Sequence, residues 1–130
     1  MSNLLAIPLI KLVVNTGNNE DWIDPILFLV SDAVPDLTPT SQLDIRGIKF
    51  LMEVRRDQLS HEVVMTASTE NGMIAIGEMP DYGYLIIQVP MAEVRPNQPG
   101  AYVADIVGDD GVNNRVVVQI DLNIVDGVTR

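Results

Sequence analysis

The chain has 130 residues, of which 47% are hydrophobic and none is cysteine, and its 8 basic and 18 acidic side chains give a formal net charge of -10. This length fits one domain, and the hydrophobic content excludes disorder as the dominant state. Disulfides and thiolate chemistry are excluded, and the acidic balance argues against nucleic acid or an anionic membrane as the main partner.

Short β-branched and aromatic runs separated by turn residues follow one another from the N-terminus. The first residues lack the basic start and cleavage site of a signal peptide, so we expect them to belong to the folded protein. Strands are predicted at residues 9–14, 25–30, 48–54, 62–67, 73–76 and 84–89. The proline-containing segment 31–41 is predicted to be the longest loop, Asn71-Gly72 a hairpin turn and residues 90–95 a single helical turn begun by Pro90.

The clearest element is a hairpin spanning residues 100–124, in which apolar residues alternate with polar ones on both sides of a Gly/Asp/Asn-rich turn. Period-two alternation predicts strands with one dry and one wet face. The dry face is predicted to hold Tyr102, Ala104, Ile106, Val116, Val118, Ile120, Leu122 and Ile124. Turns at intervals of about ten residues, with no long helical period, predict an all-β, immunoglobulin-like antiparallel sandwich of about seven to eight strands. The whole chain, residues 1–130, is predicted to be one domain.

Residues with catalytic or metal-binding chemistry are few, and their spacing favours ordinary turns. His61 is the only histidine, which argues against a Ser-His-Asp triad or a histidine metal site, and we expect it in a solvated turn. The segment 109–114 carries oxygen ligands but lacks the spacing of a calcium loop, so a tight turn is favoured. No enzymatic activity, metal or cofactor is therefore predicted.

Paired carboxylates and aromatic side chains raise two further alternatives, a glycosidase and a sugar-binding surface. The carboxylates are Glu20, Asp21, Asp24, Glu78 and Asp81. Acidic residues of this kind are most often exposed turn residues, so catalysis is the minor alternative. The aromatic residues are Trp22, Tyr82, Tyr84 and Tyr102. Tyr102 is in phase with the dry face, so we expect it inside with its hydroxyl hydrogen-bonded.

The apolar content of residues 4–14 and 26–30 exceeds what a half-exposed sheet buries, so we expect other subunits to cover part of it. Residues 1–14 are predicted to act as an N-terminal arm or an edge strand that contacts a neighbouring subunit. The candidate interface residues are Leu4, Leu5, Ile7, Leu9, Ile10, Trp22, Val34 and Leu37.

Several short motifs occur in an order that resembles the small β-sandwich module of tailed-bacteriophage tail-fibre and baseplate proteins. The N-terminal domain of lactococcal-phage upper baseplate proteins is similar. The matching residues, which span nearly the whole chain, are Gly17 and Trp22, Leu43-Asp44-Ile45-Arg46-Gly47, Val54-Arg55, Asn71-Gly72-Met73-Ile74-Ala75-Ile76, Val89-Pro90, Gly100, Tyr102 and Asp105, and Val128-Thr129-Arg130. The module often has Gly where this chain has Ile120, which predicts no local bulge at that position.

The resemblance implies a non-enzymatic structural protein of a tailed-bacteriophage virion, assembled in the cytoplasm of the bacterial host. Its expected partners are copies of itself and a tail or capsid protein, with no nucleic acid and no membrane. A fibre region usually follows the module, whereas this chain stops at Arg130, so a freestanding module is expected. Contacts in the tail, baseplate or fibre-attachment region are the first prediction. Capsid decoration is the alternative, and a carbohydrate-binding module is a third.

Overall fold

A computed structural model describes Leu4, Ile7 and residues 9–30, 41–78 and 82–126. These residues form β-strands and one short helix. In chain order the elements are β1 (Ile10–Gly17), β2 (Trp22–Leu27), β3 (Leu29–Val30), β4 (Ser41–Gln42), β5 (Lys49–Arg55), β6 (Val63–Ser68), β7 (Ile74–Ile76), β8 (Tyr84–Val89), α1 (Met91–Val94), β9 (Gly100–Asp109) and β10 (Asn114–Val125).

The strands form a larger and a smaller sheet around one shared core. The larger sheet has five strands in the order β1-β10-β9-β5-β6, and the smaller has three in the order β2-β8-β7, while β3 and β4 pair separately. Neighbouring strands are antiparallel except β1 and β10, which run parallel. The predicted all-β sandwich is confirmed.

The strand order is that of an immunoglobulin-like domain of variable type. Strands β10, β9 and β5 take the places of the G, F and C strands, β6 extends that sheet as C′ does, and β2, β8 and β7 correspond to B, E and D. The Tyr102 hydroxyl near the start of β9 donates a 2.6 Å hydrogen bond to the Gln98 carbonyl oxygen. This bond back to the preceding backbone is the tyrosine corner of such domains. It also confirms that Tyr102 is buried with its hydroxyl bonded.

The core is built from alternate residues of the paired strands, as period-two patterning requires. Phe50, Met52 and Val54 of β5 point inward, while their neighbours Lys49 and Leu51 are exposed. Each fully buried aliphatic or aromatic side chain stabilises the fold by about 1.5–3 kcal/mol. The largest fully buried side chains are Trp22, Phe28, Phe50, Leu4, Ile7, Ile45, Met52, Ile74, Leu85, Ile87, Ile106 and Ile120.

Gly108 shows how closely the N-terminal residues pack against this core. A Cβ atom built at Gly108 would lie 2.6 Å from the Cδ1 atom of Leu4. Such an approach is far shorter than van der Waals contact, so a larger residue at position 108 would displace Leu4. Leu4 and Ile7 are both fully buried. Leu4 and Ile7, which belong to the predicted arm of residues 1–14, therefore pack within their own domain.

The prediction of a hairpin at Asn71-Gly72 is wrong, because this turn connects strands of two different sheets. Strand β6 belongs to the larger sheet, whereas β7 pairs with β8 in the smaller one. Gly72 adopts a φ of 81°, which is the left-handed conformation that the Asn-Gly pair predicts. The turn chemistry was thus predicted correctly, but the partner of the following strand depends on long-range pairing.

Three strand boundaries also differ from the prediction. Strand β1 continues to Gly17, beyond the predicted end at residue 14, because pairing with β10 extends to Gly17 opposite Val125. The predicted strand at 25–30 begins earlier, at Trp22, and is interrupted at Phe28 before β3. The helical turn is confirmed as α1, with Pro90 as its N-cap residue. Most of the predicted loop, residues 31–40, lies outside the described residues.

Candidate interaction surface

The outer face of the larger sheet carries a row of apolar side chains across its three central strands. Leu51 of β5 lies opposite Val107 of β9, and Val107 lies opposite Val116 of β10. Leu51 is 41% exposed and Val116 is 38% exposed, while Val107 is half-buried. We call these three residues the apolar row. Directly opposite residues on one sheet face are in contact, so the row is continuous.

A β-bulge in β10 places Val116 in this row. The register with β9 shifts between Val116 and Val118, so that Val117 is an extra residue on the bulged strand. Val117 and Val118 are both fully buried. The predicted assignment of Val116 to the dry face is therefore wrong, because the bulge reverses the alternation at this end of the strand. Pairing is regular at Ile120, where no bulge was expected.

An open groove of about 570 Å³ lies beside the apolar row on the same side of the molecule. Strands β1, β10, β9 and β5 and the residues after β5 line it. The lining side chains with charge are Lys11, Glu53, Arg55, Asp57, Asp105 and Asp121, and exposed Val13 and half-buried Val103 add apolar area. The groove is therefore mixed in chemistry, with acidic groups in the majority.

The charges at the centre of this groove are not arranged to stabilise the sheet. Glu53 lies directly opposite Asp105 in the register of β5 and β9. Like charges in this relation are destabilising, because their side chains lie side by side on one face. Arg55 offsets part of this repulsion through an ion pair with Glu53, in which Nη2 and Oε1 are 3.5 Å apart. A basic group from a partner would remove the remaining repulsion.

The candidate interface residues from the sequence occupy two different environments. Leu4, Ile7 and Trp22 lie inside the core of this chain and have almost no surface to offer a partner. Leu9 is 46% exposed and Ile10 is half-buried, so both remain accessible. The other candidates, Leu5, Val34 and Leu37, lie outside the described residues.

The apolar row was missed, although the sequence held a sign of it. Leu51 stands between Lys49 and Glu53 in the outward phase of β5, so its exposure follows from the same alternation that buries Phe50. The exposure of Val116 was not indicated by the sequence. Val116, Val117 and Val118 are identical residues, so their order does not reveal the bulge.

Three of the five carboxylates considered for catalysis accept hydrogen bonds within the chain. Glu20 Oε1 accepts a 2.8 Å hydrogen bond from the Gly17 N–H, and Asp21 Oδ1 accepts one of 2.7 Å from the Met91 N–H. Asp24 Oδ2 accepts a 2.7 Å bond from Trp22 Nε1. Each of these three groups therefore has a hydrogen-bond partner; Glu20 and Asp21 lie in the turn before β2, whereas Asp24 lies in β2 itself. Glu78 is exposed, and Asp81 lies outside the described residues.

The segment 109–114 is an ordinary turn, as predicted. Asp109 Oδ1 accepts a hydrogen bond from the Gly111 N–H at 2.8 Å, and Asp110 Oδ1 accepts one from the Asn113 N–H at 2.7 Å. These side-chain oxygens cap the turn backbone, as Asp does in Asx turns. His61 is exposed ahead of β6. Within the described residues, no group of three or more His, Cys, Asp or Glu side chains is placed to hold a metal ion.

Of the aromatic residues considered for sugar binding, Trp22 and Tyr102 are buried, whereas Tyr82 and Tyr84 are half-buried. Trp22 is buried, and the Arg46 guanidinium lies 4.4 Å from the centre of the Tyr82 ring. Arg56 lies 4.8 Å from the centre of the Tyr102 ring. Cation–π contacts of this kind occupy one face of each ring.

Arg46 also makes the best-formed ion pair of the described residues. Its Nη2 lies 2.8 Å from Asp44 Oδ2, and its Nε lies 3.0 Å from Oδ1, so the contact is bidentate. The Arg46 backbone N–H donates a further bond to Oδ1. The side-chain and backbone hydrogen bonds from Arg46 lower the pKa of Asp44 to about 2, and the carboxylate raises the pKa of Arg46.

No known protein family and no curated protein matches this chain. The described residues contain no helix that is long and apolar enough to cross a membrane. The resemblance to phage tail and baseplate modules accordingly stays a prediction.

Several motif residues behind that resemblance lie at turns and strand ends, whereas Ile74-Ala75-Ile76, Tyr102 and Asp105 lie within strands and Val128-Thr129-Arg130 lies outside the described residues. Gly17 and Trp22 bracket the turn from β1 to β2, and Asn71-Gly72 carries the chain between the sheets. Gly47, with a φ of 84°, follows the Asp44–Arg46 ion pair. Such positions specify where the chain turns, so these motifs describe a fold more directly than an activity.

Proposed function

We propose that this protein is a non-enzymatic structural component of a tailed-bacteriophage particle, where it makes protein–protein contacts in the tail, baseplate or fibre-attachment region. The observation that carries the contact role is the apolar row of Leu51, Val107 and Val116 beside the charged groove. Protein interfaces combine an apolar centre with a polar rim in this way.

The resemblance supplies the phage setting of this proposal. Its motifs occur in the same order as in the tail-fibre and baseplate module. The acidic net charge of -10 also favours partners with basic surfaces over nucleic acid.

The test is to ask whether the chain is part of purified virions and where it lies. Mass spectrometry of particles from the strain that carries this gene should detect the chain in many copies. Gold-labelled antibodies should then bind at the tail or baseplate. Labelling over the capsid surface would support the capsid-decoration alternative, and absence of the chain from purified particles would contradict a virion role.

A further inference from the structure

The larger and the smaller sheet together have four outer strands. Three of these strands carry a feature that discourages pairing with another strand. Unpaired N–H and C=O groups at a sheet edge attract strands from other molecules, so edges are commonly protected. The outer strands are β1 and β6 of the larger sheet and β2 and β7 of the smaller one. Comparing these edges shows where a strand from another molecule can bind.

The edge of β2 is blocked by a proline. The Phe28 N–H donates to the Gly83 carbonyl beside β8, so alternate residues of β2 direct their backbone groups away from β8. Pro25 is one of these outward residues and has no N–H to offer a partner. Strand β7, with three residues, is too short to support much pairing.

The edge of β6 is closed by a side chain of the same molecule. Asn71 Oδ1 accepts a 2.9 Å hydrogen bond from the Ser68 N–H, and Asn71 Nδ2 donates a 3.1 Å bond to the Thr66 carbonyl oxygen. The amide of Asn71 therefore stands where the peptide group of an additional strand would stand. An incoming strand would have to displace it.

Within the part of the chain that the structure describes, the edge of β1 has no comparable protection along most of its length. The Asn18 N–H donates to the Val125 carbonyl, so residues of even number in β1 bond to β10 and those of odd number face outward. The outward residues are Lys11, Val13, Asn15 and Gly17. Only the Gly17 N–H meets a side chain, that of Glu20, among the described residues. Lys11, Val13 and Asn15 thus present an open edge.

The side chains of β1 are also incompletely covered on both faces. Val13 on the outer face is 77% exposed. Ile10, Leu12 and Val14 point inward but are only half-buried at the margin of the core. Apolar area of β1 therefore remains uncovered along its inner face and, at Val13, on its outer face.

We propose that β1 pairs with β1 of a second copy of this chain in antiparallel orientation, which joins two larger sheets into one. The favoured register places Val13 opposite Val13 of the second copy and Lys11 opposite Asn15 of the second copy. This register uses all three open residues of each strand and avoids placing lysine opposite lysine. It also places Leu12 opposite Val14 of the second copy, which extends the half-buried inner row.

The low charge of β1 favours contact between two copies at this edge over contact at other parts of the surface. Residues 10–17 contain one lysine and no acidic residue, in a chain that carries 18 acidic side chains. Two copies therefore meet here with less repulsion than elsewhere on the surface. The pairing specifies one contact of the proposed structural role and rests on it, but it is tested in solution without particles.

The test compares Val13→Lys with the matched control Ile23→Lys by sedimentation velocity on the full chain. Ile23 is 61% exposed on β2, two residues before Pro25, so Ile23→Lys places the same charge on a blocked edge. The unchanged protein and Ile23→Lys should both have twice the 14.3 kDa mass of one chain. Val13→Lys places two lysines opposite each other and should raise the dimer Kd at least about 100-fold.

Val13→Pro is the second variant, because it removes an outward N–H while leaving the bonds from β1 to β10 intact. It should also be monomeric, with the same circular dichroism as the unchanged protein. Hydrogen exchange should show protected amides at Val13 and Asn15 in the dimer. The Asn15 amide should exchange fast in both variants, and the amide of position 13 should do so in Val13→Lys, since the proline variant has no N–H there. A monomeric unchanged protein, or a Val13→Lys variant that stays dimeric, would overturn the pairing. If the chain is monomeric in solution but is present in purified particles, the pairing is wrong and the proposed function is unaffected.

Discussion

Polar side chains at the turns of this protein act mainly on the backbone around them. Asn71 Oδ1 accepts hydrogen bonds from both the Ser68 and the Met73 N–H groups, and Asp21 ties the start of α1 to the turn before β2. No buried side-chain nitrogen or oxygen of the described residues lacks a hydrogen-bond partner. At this scale the polar residues determine where strands end and how edges are closed.

The ion pair of Asp44 and Arg46 gives a prediction about acid titration. Because the pKa of Asp44 is lowered to about 2 in the folded protein, its contribution to stability is present above its ordinary pKa of 3.8 and is lost as the pH falls through about 2. NMR titration of the Asp44 carboxyl should give a midpoint near 2. Arg46→Gln should move that midpoint back toward 3.8.

Arg95→Gln serves as the control for that titration, because Arg95 is an exposed arginine at the end of α1. It should leave the Asp44 midpoint unchanged. A midpoint near 4 in the unchanged protein would mean that the bidentate contact does not form in solution.

At the scale of elements, strands with a clear polar and apolar alternation were predictable from the sequence. Strand β8 matches its prediction, and β5 and β9 bury the residues that their period-two pattern indicates. The bulge in β10 was not predictable, since three successive valines offer no contrast between inward and outward positions. The sheet crossing at Asn71-Gly72 was missed for another reason: local turn chemistry does not specify which strand the next one will pair with.

The same distinction between local alternation and long-range strand pairing applies to the candidate interaction surface. The exposed position of Leu51 was available from alternation, whereas its contact with Val107 and Val116 depends on the order of β5, β9 and β10 in the sheet. Within the predicted arm, long-range packing buries Leu4 and Ile7 and leaves Leu9 exposed, and the local sequence does not distinguish these positions.

The bulge itself is tested by a pair of alanine substitutions. Val117 is fully buried, so Val117→Ala should lower the free energy of unfolding by about 2 kcal/mol through lost burial and a residual cavity. Val116→Ala removes the same atoms from the outer face and should change it by less than about 0.5 kcal/mol. Urea denaturation of both variants measures the difference. The reverse order would show that β10 is regular and that Val116 faces the core.

At the scale of the whole molecule, a single core and a strongly acidic surface determine how contacts can form. The net charge of -10 keeps copies apart over most of the surface, so specific association needs a site where charge is low or complementary. Strand β1 is low in charge and open at its edge. The outer face of the larger sheet offers the apolar row and an acidic groove. The two regions are adjacent, since Lys11 and Val13 of β1 also line the groove.

Under the two proposals, these surfaces make different contacts in an assembled particle. Pairing through β1 joins identical copies, and the apolar row remains available for a different protein with a basic segment that fits the groove. A module with one self-contact and one outward contact suits a multi-copy assembly, in which rings or clusters of one protein hold another in place.

The most direct measurement is hydroxyl-radical footprinting of the chain, free in solution and within purified particles. Oxidation of Leu51 and Val116 should fall in the particle because a partner covers the apolar row. Val112, which is 86% exposed in the turn between β9 and β10, should be oxidised equally in both samples. Equal oxidation of Leu51, Val116 and Val112 in free and assembled protein would contradict the proposal that this sheet face makes the contact.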